Sequence, residues 1–78
     1  MELLVYSKPD CPLCEHAAVE IQLAGLMEYI QGVNIETDPE LMARYEMRIP
    51  VIHNPKTGIE LGWPFTADEL SKVFKIHP

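Results

Sequence analysis

Cys11-Pro12-Leu13-Cys14 sits where an apolar run ends and a helical pattern begins, and this junction constrains the chain more than any other stretch. Proline suits a helix start there, because the N–H it lacks would have had no intrahelical partner. A helix beginning at Pro12 leaves Cys11 at its N-terminus, where free backbone N–H groups and the positive dipole end favour an anion such as a thiolate. Cys14, one turn on, lies on the same side of the helix, within reach of Cys11 for a disulfide.

The segments on either side are read in order from their periodicity. Leu3-Leu4-Val5-Tyr6 is a continuous apolar run, as expected of a strand buried on both faces, and Ser7-Lys8-Pro9-Asp10 breaks it as a loop. From Pro12 to about Ile30 the apolar positions Ala17, Ala18, Ile21, Leu23, Ala24, Met27 and Ile30 predict one long helix, closed by Gly32. Val33-Asn34-Ile35-Glu36 alternates as a half-buried strand. Asp38-Pro39 caps a short helix, Glu40 to about Glu46, that buries Leu41, Met42 and Tyr45. Arg48 to His53 reads as a strand entered through Pro50, a place that tolerates a missing donor. Asn54-Pro55-Lys56-Thr57-Gly58 is a hairpin turn by composition, after which Ile59, Leu61 and Trp63 alternate against Glu60 and Gly62. Thr66-Ala67-Asp68-Glu69 has capping-box spacing, and Leu70, Val73 and Phe74 form the stripe of a last helix.

The order β-α-β-α-β-β-α predicts an α/β fold. A right-handed crossover through the first helix makes the first two strands parallel, and the hairpin makes the last two antiparallel. A mixed four-stranded sheet with strand one inside and helices on both faces accounts for every segment; if the third strand pairs antiparallel to the first, the sheet edge that carries Cys11 also carries Pro50, Trp63 and the start of the last helix.

Bulk properties narrow the function. A chain of 78 residues is expected to form a single domain from Met1 to Pro78, of a size that buries only roughly 60–65% of its unfolded surface. The balance of 6 basic to 12 acidic residues gives −6 at neutral pH, which argues against a nucleic-acid partner. No apolar run approaches the roughly 20 residues of a membrane span, and no charged n-region precedes Leu3, so the expected location is the cytoplasm. Two cysteines at this spacing do not make a disulfide framework; in a reducing compartment such a pair is catalytic or metal-binding.

A Cys-X-X-Cys at a strand end inside a β-α-β pattern reads as a redox motif. The helix N-terminus lowers the first thiol's pKa, and the second thiol resolves the mixed disulfide that the first one forms. Tyr6 to Cys14, Arg48-Ile49-Pro50-Val51 and the order of elements together resemble the glutaredoxin branch of the thioredoxin-like superfamily over essentially the whole chain, and are most similar to its small glutaredoxin-like proteins. The resemblance implies a thiol-disulfide oxidoreductase with Cys11 as nucleophile and Cys14 as resolving thiol. Pro50 matches the family's cis-proline, and Ile49 before it would offer backbone hydrogen bonds to a peptide or glutathione. Lys8 matches a basic residue of the approach loop, and a nearby cation favours a thiolate. Asp68 matches an acid that the family uses beside the glutathione site, although a carboxylate there also suits the helix end. With Pro12, Leu13, Arg48 and Trp63 these are the candidate substrate-binding residues.

Two departures stand out. Leu13 replaces the usual aromatic residue, and Gly62-Trp63-Pro64-Phe65-Thr66 lacks the paired glycines that help hold glutathione. The missing glycines speak against a full glutathione site, which leaves glutathione as a co-substrate and thioredoxin reductase as alternative sources of electrons. No tightly bound cofactor is expected, and the chain is expected to be a monomer whose partners are a disulfide-bearing protein or a small thiol.

Each feature also has a plainer reading. The cysteines can be two small buried residues or half of a zinc site, which would need ligands from His16, His53 and His77. His16 can tune Cys14 or simply face solvent; His53 and His77 read as ordinary strand and tail residues. Trp63 and Phe65 form either an apolar rim or core, and Tyr6 reads as core. Arg48 either guides an anionic group toward Pro50 or is a solvated charge. Asp10 and Glu15 flank the thiols with negative charge that opposes the dipole. Strand one carries no buried carboxylate, so solvent or His16 would take the proton of Cys14. A redox-inactive module that holds a peptide or glutathione with Pro50, Trp63 and Phe65 is the second functional class, and a thiolate metal-binding protein the third.

Overall fold

In the computed structural model, which describes residues 1–74, the chain forms β1 (Leu3–Ser7), α1 (Pro12–Leu23), β2 (Ile30–Asn34), α2 (Pro39–Tyr45), β3 (Val51–His53), β4 (Glu60–Gly62) and α3 (Ala67–Val73). The sheet runs β2-β1-β3-β4, with β1 and β2 parallel and the other neighbours antiparallel. This is the expected mixed α/β sheet.

Pairing sets the two faces. Val5, Ile52 and Leu61 are register partners and point to one side, where they meet Ala17 and Ile21 of α1 and Leu70 of α3. Tyr6 and Val51 point to the other, where Tyr45 of α2 packs with them. Leu3, Ile52 and Leu70 are fully buried, each contributing about 1.5–3 kcal/mol of transfer free energy.

The first helix is shorter than its periodicity suggests. It stops at Leu23 because Gly25 takes φ +75° and donates to Gln22 while Leu26 donates to Ile21, the paired bonds of a glycine-terminated helix end. Leu26 then folds back into the core, Met27–Tyr29 makes a single 3₁₀ turn, and Leu23 is left 69% exposed. Gly32 closes no helix but lies inside β2, whose pairing begins at Ile30 rather than Val33. Ile35 leaves the strand for a second 3₁₀ turn, Ile35–Thr37, yet remains buried.

Strands β3 and β4 are also shorter than expected. Arg48 and Ile49 precede β3 because both of their N–H groups are drawn to the Tyr45 carbonyl, at 2.8 and 3.1 Å. Ile59 and Trp63 flank β4. His77 and Pro78 lie outside the described residues.

Candidate active site

The left-handed Asp10, φ 57°, turns the loop after β1 into the start of α1; aspartate is among the few side chains that tolerate this conformation. Cys11 follows as the N-cap and Pro12 as the first helical residue. Cys11 and Cys14 are joined in a disulfide with Cα atoms 5.2 Å apart, and the Cys14 N–H points at Cys11 Sγ, 3.2 Å away. Cys11 is thus both the cap of α1 and the sulfur toward which a backbone donor is aimed. Leu13, between the two cysteines in sequence, is 47% exposed and offers apolar surface beside them.

The other residues arrive from the same end of the sheet. Strand β3 runs against β1 and β4 runs against β3, so the end of β1, the start of β3 and the end of β4 share one edge. Pro50 is buried there, joined to Ile49 by a cis peptide bond, and its carbonyl accepts the Trp63 N–H at 3.0 Å. The Trp63–Pro64 bond is cis as well. Lys8 is exposed in the loop before Cys11, and Asp68 is exposed in the first turn of α3.

Some candidates take other roles. The Ile49 N–H is occupied by Tyr45, which leaves its carbonyl as the group available to a partner. Arg48 turns toward α2 and β4: its guanidinium lies 5.5 Å above the Tyr45 ring and 3.8 Å from Glu60. Phe65 is core rather than rim, 3% exposed, and carries Trp63 edge-on at a centroid distance of 5.0 Å. His16 is exposed on α1. Among the described residues no carboxylate is buried, and no three His, Cys, Asp or Glu side chains gather as a metal cradle.

Sequence reading missed a cluster around Glu60. Its carboxylate accepts the Tyr45 hydroxyl and faces Arg48, and Tyr45 stacks on Tyr6 at 4.4 Å. His53 Nδ1 lies 3.2 Å from Glu60 Oε2 but outside hydrogen-bond geometry, so this buried nitrogen has no hydrogen-bond partner. Burial, with Glu60 next, raises the pKa of the Tyr6 and Tyr45 phenols above their ordinary range. The available signal was period two: Leu4, His53 and Glu60 are register partners and so share a face.

A mixed four-stranded sheet, helices on both faces and a Cys-X-X-Cys pair opening the first helix define the thioredoxin-like class. Within it, the chain belongs to the glutaredoxin-like domain family (DUF836), whose description it matches over residues 2–75. The crystal structure of protein XcR50 from X. campestris is 34% identical, with a TM-score of 0.85 over 97% of this chain and 99% of that one. Its solution structure is 35% identical, with a TM-score of 0.86 over 100% and 97%. Protein Ne2328 from Nitrosomonas europaea shares the fold at 24% identity and a TM-score of 0.73, over 94% of this chain and 85% of that one. No curated protein matches the chain.

Proposed function

We propose that the protein is a thiol-disulfide oxidoreductase that reduces protein disulfides in the cytoplasm. The observation that carries this reading is the bonded Cys11–Cys14 pair at the start of α1, with the Cys14 N–H directed at Cys11 Sγ. In the reduced state that donor and the helix end both favour a thiolate on Cys11.

Cys11 attacks one sulfur of the substrate disulfide; a mixed disulfide forms and the other substrate sulfur leaves as a thiolate. Cys14, deprotonated to solvent, then attacks Cys11 Sγ and expels the second substrate thiolate. Two electrons pass from the dithiol to the substrate, and two equivalents of an external thiol, with glutathione as the candidate, restore the dithiol. Pro50 and the Ile49 carbonyl bound the approach to Cys11, while Leu13 and Trp63 supply apolar surface for an extended substrate chain.

The test is the alkylation rate of Cys11 against pH, beside turnover of an added protein disulfide by the reduced protein. The expected result is a thiolate titrating well below about 8.5, together with turnover. A thiol titrating near that value, without turnover, overturns the reading.

A further inference from the structure

Beside Trp63 lies a groove of about 410 Å³, walled by Glu20 of α1, by Trp63, Pro64, Phe65 and Thr66, and by Glu69 of α3. Its size is at the small end of ligand pockets, roughly 300–1,000 Å³, which suits one long side chain and its neighbours. Its polar character is one-sided. Glu20 Oε1 accepts the Ala67 N–H at 2.9 Å, Glu69 Oε1 accepts the Thr66 N–H at 3.2 Å, and the Thr66 hydroxyl accepts the Glu69 N–H at 3.2 Å. Three backbone donors at the start of α3 are thereby taken by the chain's own oxygens. The second carboxylate oxygens of Glu20 and Glu69 accept no hydrogen bond among the described residues. The one Arg–carboxylate pair found among those residues, Arg48 with Glu60, lies on the opposite face of the sheet.

An anionic ligand would find these donors occupied and two carboxylates lining the groove. A cation would find two acceptors with free lone pairs and a partly buried indole, on a chain of net charge −6. A guanidinium or ammonium group gains from both the carboxylates and the aromatic wall. We propose that this groove receives an arginine or lysine side chain of the substrate protein, next to the disulfide presented to Cys11. The position supports it: Trp63 is bonded to Pro50, at the sheet edge where Cys11 lies.

The proposal deepens the oxidoreductase reading and rests on it for the meaning of docking, but its test needs no redox chemistry. Trp63 is the only tryptophan, so its fluorescence reports on the groove. The oxidised full-length protein is titrated with a short cysteine-free peptide carrying one arginine, and with the same peptide carrying glutamine there. The expected result is saturable binding of the arginine peptide, about fivefold or more tighter than its glutamine counterpart. The paired variant Glu20→Gln with Glu69→Gln keeps the capping acceptors and should erase the difference. Should that variant fold poorly, the native protein's preference for arginine must shrink between about 0.02 and 0.5 M salt. Equal binding of the two peptides, no binding, or a preference untouched by the variant or by salt overturns the proposal. A binding groove on a protein without disulfide turnover would instead count against the redox reading alone.

Discussion

The Trp63 N–H donates to the Pro50 carbonyl at 3.0 Å, so the residue leaving β4 is held to the proline that precedes β3. One backbone bond therefore links the two segments that reach the sheet edge where the cysteine pair lies. Trp63→Ala leaves this bond in place but removes the ring that packs edge-on against Phe65. Urea denaturation should show a loss of about 1–3 kcal/mol, with Trp63→Phe recovering more than half of it. A loss confined to substrate affinity, with unchanged stability, would show that the ring serves only the surface.

The two cysteines should fail differently. Cys11→Ser removes the sulfur at the helix start and should reduce disulfide turnover to the uncatalysed rate. Cys14→Ser keeps the nucleophile but has no internal thiol to release the substrate, so mass spectrometry should find a lasting mixed disulfide on Cys11. The same adduct on Cys14 in the Cys11→Ser protein would reverse the assignment.

These assignments were legible early because the motif is local: Cys11, Pro12 and Cys14 meet within one helical turn. The capping box at Thr66 was legible for the same reason. Gly25 was not, since Met27 and Ile30 continue an apolar period past it, and only the core decides that Leu26 turns inward. Nor was the partnership of Glu60 with Tyr45 and Arg48, which depends on β4 pairing with β3 and on α2 packing beneath both. Nor was the bond from the Ala67 N–H to Glu20, which nothing near Glu20 in the chain announces.

Thr66 caps α3 through its hydroxyl while Glu69 returns a bond to the Thr66 N–H. Thr66→Ala removes one acceptor and should cost about 1 kcal/mol by chemical denaturation, whereas Thr66→Ser should cost much less. Since the side-chain bonds of Thr66 go to Glu69 and none to Cys11 or Cys14, alkylation kinetics of Cys11 should not change.

Alkaline stability should follow the tyrosines. Tyr6 and Tyr45 have phenol pKa values raised above 10.0, chiefly by burial and then by Glu60, so the folded state favours the neutral, protonated forms. Their contribution is fully present below the unfolded value of about 10 and is lost as pH rises through the higher folded values. Denaturation midpoints should therefore be insensitive to these groups near neutrality and fall above about pH 10. Tyr6→Phe should flatten that fall, as followed by urea melts and phenolate absorbance.

Glu60 anchors this region, because its carboxylate accepts the Tyr45 hydroxyl and faces the Arg48 guanidinium from a neighbouring strand. Tyr45 is 3% exposed, so Glu60→Ala leaves a buried hydroxyl without its acceptor, at a cost of about 1–3 kcal/mol. Tyr45→Phe removes the donor while keeping the ring stacked on Tyr6. If the hydroxyl–carboxylate bond carries the effect, the double variant should be less destabilised than the sum of the singles, by about 0.5–3 kcal/mol. Additive losses would instead assign the cost of Glu60→Ala to Arg48. Because Arg48 leads directly into Ile49 and Pro50, substrate KM should then rise in Glu60→Ala and be unchanged in Tyr45→Phe.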